Sequence, residues 1–290
     1  MYPEGRGEEQ LMSEPSPGPG GRMNYHLEGL IPLVLIIIIG FALAYSLGWI
    51  NSSTPIIGSF AGFAGNSQPA DMLIIGQASY DTQLALNEVP DLVKMRVMDA
   101  TQLQRNPAAV FAQYKIIMLD QSNQADKEVS RQLGYAMQNY VKTGGKLIIV
   151  MDSGIRQPDS PDIIGWKATF GDIVPVSCDY VVAQQPSCTQ PQFARGKLWV
   201  SDTRHPIMRG IEQVPSEPTA GLIAFETFDV TPQGREIAYI QDEFSKKYYT
   251  GIVESTQFKA GLGKVIYFNY DPGRTKGVFL ATLEYLSGRR

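Results

Sequence analysis

Histidine and cysteine are nearly absent from this 290-residue chain, with two of each. His26, His205, Cys178 and Cys188 cannot build a Cys/His zinc cluster, which gathers about four such ligands in one place. No metal and no cofactor is expected. Basic residues are scarce too: 25 Lys and Arg stand against 29 Asp and Glu, a net charge of −4. The basic field needed to hold nucleic acid is therefore missing. Charge of either sign disappears between Gly29 and Ala70. Within that window Leu30 to Ile50, LIPLVLIIIIGFALAYSLGWI, is 21 residues long. At about 1.5 Å per residue, a helix of this length just crosses the roughly 30 Å hydrocarbon core of a bilayer.

The uncharged run divides the chain. Residues 1–28 include EPSPGPGG and no apolar periodicity, so a disordered tail is expected. Residues 29–50 are the expected anchor, inserted in the lipid bilayer through 30–50. Residues 51–70, small, polar and Gly-rich, suit a juxtamembrane linker. Residues 71–290 are the bulk domain. Arg6 and Arg22 precede the run, and the first basic residue after it is Lys94. The positive-inside rule then puts the N-terminus in the cytoplasm and the domain outside. A competing reading is a signal peptide cleaved after Ala44, since Ala42-Leu43-Ala44 has the small-x-small form. A long acidic n-region and an apolar run that continues to Ile50 weigh against it. Four consecutive isoleucines with no polar face weigh against a buried core helix. Asn51-Ser52-Ser53 matches a glycosylation sequon but lies beside the bilayer.

Cys178 and Cys188 flank DYVVAQQPS, which reads as a strand and a turn. An exported domain sits where disulfides persist, so the two are expected to bond. The other reading is two unrelated buried thiols.

From Asp71 onward the pattern is that of an α/β domain. MLII (72–75), KIIML (115–119) and KLIIVM (146–151) are apolar runs of buried strands, and VKMRV (93–97) alternates as an edge strand does. Between them, Val129, Leu133, Ala136, Met137, Tyr140 and Val141 follow a helical period that Asp126 would cap and Gly144-Gly145 would stop. The later half offers strands at 177–183, 197–201, 237–241, 249–253 and 265–268. A turn is expected at 261–264 and a closing helix over 276–286. Strands alternating with helices predict a mostly parallel sheet covered by helices on both faces.

YKIIMLD, NYVKTGGKLIIVMDSG, HPIMRGIEQVP, FDVTPQGREIAYIQD and GLGKVIYFNYDPG, ending in FLATLEYL, occur in that order. Over about residues 71–288 this series resembles the class I glutamine amidotransferase-like superfamily, and within it a non-catalytic, membrane-anchored branch that includes auxiliary domains of gliding-type transporters. The resemblance implies a flavodoxin-like sheet with strands inserted in its second half. Catalytic members carry a cysteine nucleophile in G-x-C-x-G on a tight turn after a strand. The matching stretch is Val150-Met151-Asp152-Ser153-Gly154, which puts Asp152 at the nucleophile position. The His-x-Glu of those members has no counterpart, because Ile207 stands two residues after His205.

The residues themselves leave a candidate binding surface made of Asp120, Asp152, Ser153 and His205. Asp120 and Asp152 follow buried strands, where open α/β sheets place their ligands. Two carboxylates there would suit a cation or a sugar hydroxyl, while the plainer reading makes each a cap of its own loop. Ser153 could replace the missing nucleophile only with His205 as its base, while the plainer reading makes His205 a cap or packing residue of the loop leading into Met208-Arg209-Gly210-Ile211. Asp271-Pro272-Gly273-Arg274 reads as a turn into the last helix, where Arg274 could meet an anion. Trp166 and Trp199 read as packing residues, and Lys246-Lys247-Tyr248-Tyr249 as a strand edge or a small basic and aromatic patch. The expectation is a catalytically silent, extracytoplasmic binding or assembly module for an envelope protein or glycan. The alternative is an extracytoplasmic hydrolase with its site at the strand ends.

Overall fold

A computed structural model of the chain describes residues 68–289 apart from 159, 161, 179–185, 218–219 and 258–262, together with Pro32, Leu35, Ile36 and Ile39. Those four isolated residues are helical and exposed. The rest of the expected anchor, the tail and 51–67 lie outside the described residues. Among the described residues, no helix is long and apolar enough to cross a membrane.

In chain order the elements are β1 (Ala70–Gly76), α1 (Tyr80–Asn87), β2 (Val93–Met98), α2 (Pro107–Phe111), β3 (Ile116–Asp120), α3 (Arg131–Lys142), β4 (Lys146–Val150) and α4 (Lys167–Phe170). There follow β5 (Val176–Cys178), β6 (Pro191–Val200), β7 (Gln213–Val214), β8 (Ile223–Phe228), β9 (Val230–Pro232), β10 (Arg235–Asp242), β11 (Tyr248–Glu254), β12 (Lys264–Phe268) and α5 (Lys276–Ser287).

One mixed ten-stranded sheet runs in the order β2-β1-β3-β4-β12-β11-β10-β6-β7, with β8 also paired to β6. The first five strands of that order are parallel, and the rest are antiparallel. The fold is therefore α/β with a mixed sheet. β5 and β9 form a separate two-stranded ribbon.

Side-chain alternation along the strands builds two cores. Met72 and Ile74, Ile116 and Met118, Ile148 and Val150, and Ile266 and Phe268 face α1 and α5. Leu73 and Ile75, Ile117 and Leu119, Leu147 and Ile149, and Val265 and Tyr267 face α3, Phe111 and Phe170. Strands buried on both faces must be apolar at every position, which is why these runs stand out. β2 is the edge, and its residues Lys94 to Val97 are exposed.

Three expectations shift, the first being the mostly parallel sheet, which is mixed because the strands of the second half pair antiparallel. α3 is capped by Ser130, whose hydroxyl accepts the Leu133 N–H. Asp126 does not cap it but accepts the Glu128 N–H. The chain stays extended past Asp126 because Val129 N–H donates to Arg156 O at 3.0 Å. β6 starts at Pro191 rather than Lys197, since its first half pairs with β8. Of the strand expected at 177–183, residues 177–178 belong to β5, and 179–183 fall outside the described residues.

The cysteines are bonded: Cys178 at the end of β5 and Cys188 in a short 3-10 turn stand 5.2 Å apart at Cα. The bridge ties the ribbon to a segment buried against the α3 side of the sheet. Disulfides persist in oxidising compartments, which agrees with an extracytoplasmic domain.

Candidate functional site

β1 is followed by β2 on one side and flanked by β3 on the other. Chain departing from β1 covers one face and chain departing from β3 covers the opposite face. The divergence opens a crevice beyond the carboxyl ends of the strands. Gly76 ends β1 there with φ +107, and a Cβ on it would lie 2.2 Å from the Asp120 carbonyl oxygen, so only glycine fits beside β3.

A cleft of about 380 Å³ lies at these ends, with Ser79, Asp81, Ser122, Glu226, Asp271 and Arg274 among its lining residues. Asp271 stitches it together: its Oδ1 accepts the Ser79 hydroxyl at 2.7 Å, the Thr82 hydroxyl at 2.8 Å and the Gly273 N–H at 3.0 Å. The turn after β12 is thereby fixed to the first turn of α1. Arg274 lies 3.3 Å from Asp81 and 3.9 Å from Asp271, so the anions it meets are the chain's own carboxylates.

Asp120 is the last residue of β3 and fully buried. Its Oδ1 accepts the Ser122 hydroxyl at 2.6 Å and the Ser122 N–H at 3.1 Å. Among the described residues its Oδ2 has no hydrogen-bond partner. Burial pushes its pKa up to about 6; the Ser122 bonds oppose this, the Asp271 charge adds to it and Lys127 opposes it. A buried carboxylate with a free oxygen is costly and calls for an explanation in function.

The turn after β4 is where the resemblance puts chemistry. Met151, not Asp152, holds the strained conformation, with φ 52. Its N–H donates to Phe268 O at 2.7 Å, which binds the turn to β12. Asp152 Oδ1 lies 3.2 Å from Lys127 Nζ, and that ammonium also donates to the carbonyls of Gln121 and Ser122. Ser153 is buried, its hydroxyl accepting the Gln121 N–H at 2.8 Å, while Gln121 Oε1 accepts the Gly154 N–H. The Trp166 indole N–H donates to Ser153 O, confirming Trp166 as a packing residue. Ser153 and Asp152 thus hold the loops after β3 and β4 together.

His205 does not join this surface, contrary to the sequence-based grouping. It follows β6, which runs antiparallel to β10, itself antiparallel to β11. Its Nδ1 accepts the Ile207 N–H at 3.3 Å, so Nε2 donates to Glu254 at 3.0 Å. Tyr285, near the far end of α5, donates to the other Glu254 oxygen and packs edge-on against the imidazole. These contacts put His205 toward the amino-terminal end of the parallel strands, away from Ser153. In the 246–249 stretch, Lys247 lies over the Tyr249 ring at 4.5 Å and pairs with Asp229, while Tyr248 is exposed.

Asp271 as the organiser of the cleft and Met151 as the strained residue were not foreseen. Asp-Pro-Gly signalled only a turn, and no local pattern marks a methionine for positive φ.

No family model and no curated protein matches the chain. Among solved structures, a β-galactosidase from Rahnella sp. R3 is 15% identical, over 79% of this chain and 33% of that one, with a TM-score of 0.49. A β-galactosidase from Bacillus circulans sp. alkalophilus is 10% identical, over 76% and 31%, with a TM-score of 0.48. A protein described as part of a GMP synthase, from Thermoplasma acidophilum, is 8% identical, over 77% and 96%, with a TM-score of 0.45. The chain spans about a third of the length of the two β-galactosidases. Likenesses this distant carry no argument about what the chain does.

Proposed function

We propose that the chain is a membrane-anchored, amidotransferase-like domain without catalytic activity, which binds an envelope protein or glycan outside the cytoplasm through the cleft at its strand ends. The parallel strand order β2-β1-β3-β4-β12 supports the flavodoxin-like reading, since that order is one of the two common doubly wound ones. One observation carries the proposal: the strained position after β4 is occupied by Met151, and the neighbouring Ser153 is fully buried, its hydroxyl accepting the Gln121 N–H inside the loop packing. A thioether cannot attack an amide as a thiolate does. His205, the base such a serine would need, sits toward the other end of the sheet.

Asp120 alone favours a second reading, a hydrolase, because a buried carboxyl titrating near 6 suits a general acid. Crosslinking in native membranes, followed by identification of captured proteins and glycans, tests the first reading. Capture should be lost on substitution of Glu226 or Asp120 and kept on substitution of the exposed edge residue Val97. Glutamine hydrolysis by the purified chain, abolished by Ser153→Ala, would overturn it.

A further inference from the structure

We propose that a shallow depression on the open face of β10 and β11 binds a quaternary ammonium group, held by the rings of Tyr239 and Tyr248 and neutralised by Glu236. This site shares no lining residue with the cleft and goes beyond the binding-module reading.

The antiparallel strands bury one face. Leu198, Ala238 and Ile240 turn into the core beside α5, while Tyr239 and Tyr248 belong to neither core. A solvated sheet face is ordinarily polar, so two tyrosines there stand out. Tyr239 pairs with Thr250 and Gln241 with Tyr248, and residues opposite one another in an antiparallel ladder share a face. The two rings meet with centroids 5.5 Å apart at an angle of 60°, as two walls of a corner. Gln241 Nε2 donates to the Tyr248 hydroxyl at 3.1 Å, which holds the exposed ring in place. Glu236, Tyr249 and Thr250 complete the lining of a depression of about 320 Å³.

Glu236 sets the charge. Its Oε2 accepts the Ser201 hydroxyl at 3.3 Å, and Thr250 bonds to the same carboxyl. Burial raises its pKa above the ordinary value, the two hydroxyls oppose the rise, and no cation acts on it. The neighbouring Arg235 is taken by Asp202. Aromatic faces beside a carboxylate without a counter-charge favour a cation, because rings attract cations within about 6 Å of their centroids. The same stretch already shows this chemistry: Lys247 Nζ lies 4.5 Å over the Tyr249 ring. A metal ion does not fit, since among the described residues no three Asp, Glu, His or Cys side chains are placed to hold one. A primary ammonium brings three N–H donors, and the one carboxyl of the depression already accepts two hydroxyls. A quaternary ammonium has no N–H to satisfy. The volume falls in the range of small-molecule sites, about 300–1,000 Å³.

Saturation-transfer NMR on the N-methyl signal of choline, titrated against the full-length chain in a maltoside detergent, tests the assignment. Choline should bind saturably, and its uncharged carbon analogue, 3,3-dimethyl-1-butanol, should bind far more weakly. Tyr248→Leu and Glu236→Gln should each weaken binding about three- to tenfold, while Tyr248→Phe, which keeps the ring, should stay close to the wild type. Tyr248 is 61% exposed, so its variants keep the fold. Tyr135→Leu, at an exposed tyrosine of α3, should change nothing. Tighter binding of glycerophosphocholine than of choline would assign the ligand to a phosphodiester-linked headgroup; equal or tighter binding of choline would assign it to the free base. Equal binding of choline and the butanol, no saturable binding of choline, unchanged affinity in Tyr248→Leu, or an equal loss in Tyr248→Phe would overturn the proposal.

Discussion

Asp120→Asn should make the folded chain less sensitive to rising pH, so that its stability relative to the wild type rises between pH 4 and neutrality. In the unfolded chain Asp120 ionises near 3.8; in the fold it keeps its proton to about 6, chiefly through burial. Between these values the folded state binds a proton that the unfolded state has shed. Wild-type stability is then complete below the lower value and is lost as pH rises through the upper one. At 1.36 kcal/mol for each pH unit, the full effect is about 3 kcal/mol. Most of it, about 2–3 kcal/mol, develops between pH 4 and pH 7.5. Asparagine does not titrate, and its carbonyl oxygen can keep both Ser122 bonds. Any fixed cost of placing an amide N–H₂ where Oδ2 was is the same at every pH, so it cancels from the comparison. Urea unfolding followed by the fluorescence of buried Trp166 measures the gap between variant and wild type. That gap should move in favour of the variant by about 1 M in midpoint from pH 4 to pH 7.5, at a slope near 3 kcal/mol/M. A gap that stays constant, or moves the other way, would refute the assignment of Asp120 as a buried carboxylate with a raised pKa.

Replacing Cys178 and Cys188 by serine should cost about 3 kcal/mol, the loop-closure value for a bridge across ten positions; a free thiol in the unreduced, denatured wild type would contradict the bridge. Gly134→Ala should destabilise by about 1–3 kcal/mol, because its Cβ would stand 2.4 Å from Thr169 O, whereas Gly277→Ala in α5 meets nothing within 4 Å and should be neutral or better; equal midpoints for the two in thermal melts would sink the packing argument. His205→Ala should cost about 2 kcal/mol or more by leaving Glu254 without its buried partner, and a thermal melt unchanged by the substitution would contradict this. Protease added to intact cells should remove residues 71–290; a domain protected until lysis would reverse the topology proposed from Arg6 and Arg22.

The parallel half of the fold was legible because its strands are buried on both faces. Such strands have no polar side to show, so β1, β3, β4 and β12 appear as unbroken apolar runs, and the exposed edge β2 appears as alternation. The antiparallel half was less so. β8, IAFETF, keeps Ala224 and Glu226 exposed on one face, and its weaker alternation competes with the surrounding Pro and Gly signals. α1, YDTQLALN, buries only Thr82, Ala85 and Leu86, too few positions in eight residues to show a period. Its partners are the residues after β12, almost two hundred positions away.

The site was half legible for a reason of direction. Locating Asp120 and Asp152 required only that apolar strands be parallel and that ligands gather at their carboxyl ends. Placing His205 required the direction of β6, which is fixed by its pairing with β10 and, through β11, by the hairpin into β12. Each antiparallel step reverses the chain, so whether a residue following a strand falls at one end of the sheet or the other depends on the number of such steps. A local motif does not contain that number. His-Pro-Ile after a strand therefore looks the same at either end. The free Asp120 oxygen is invisible to sequence for a related reason. Ser122 answers one oxygen locally, two residues on, but the want of a donor for the other emerges only when β1, β12 and the turn carrying Asp271 have closed around it. An unmet hydrogen bond inside a fold is a property of the assembled walls rather than of any residue within them.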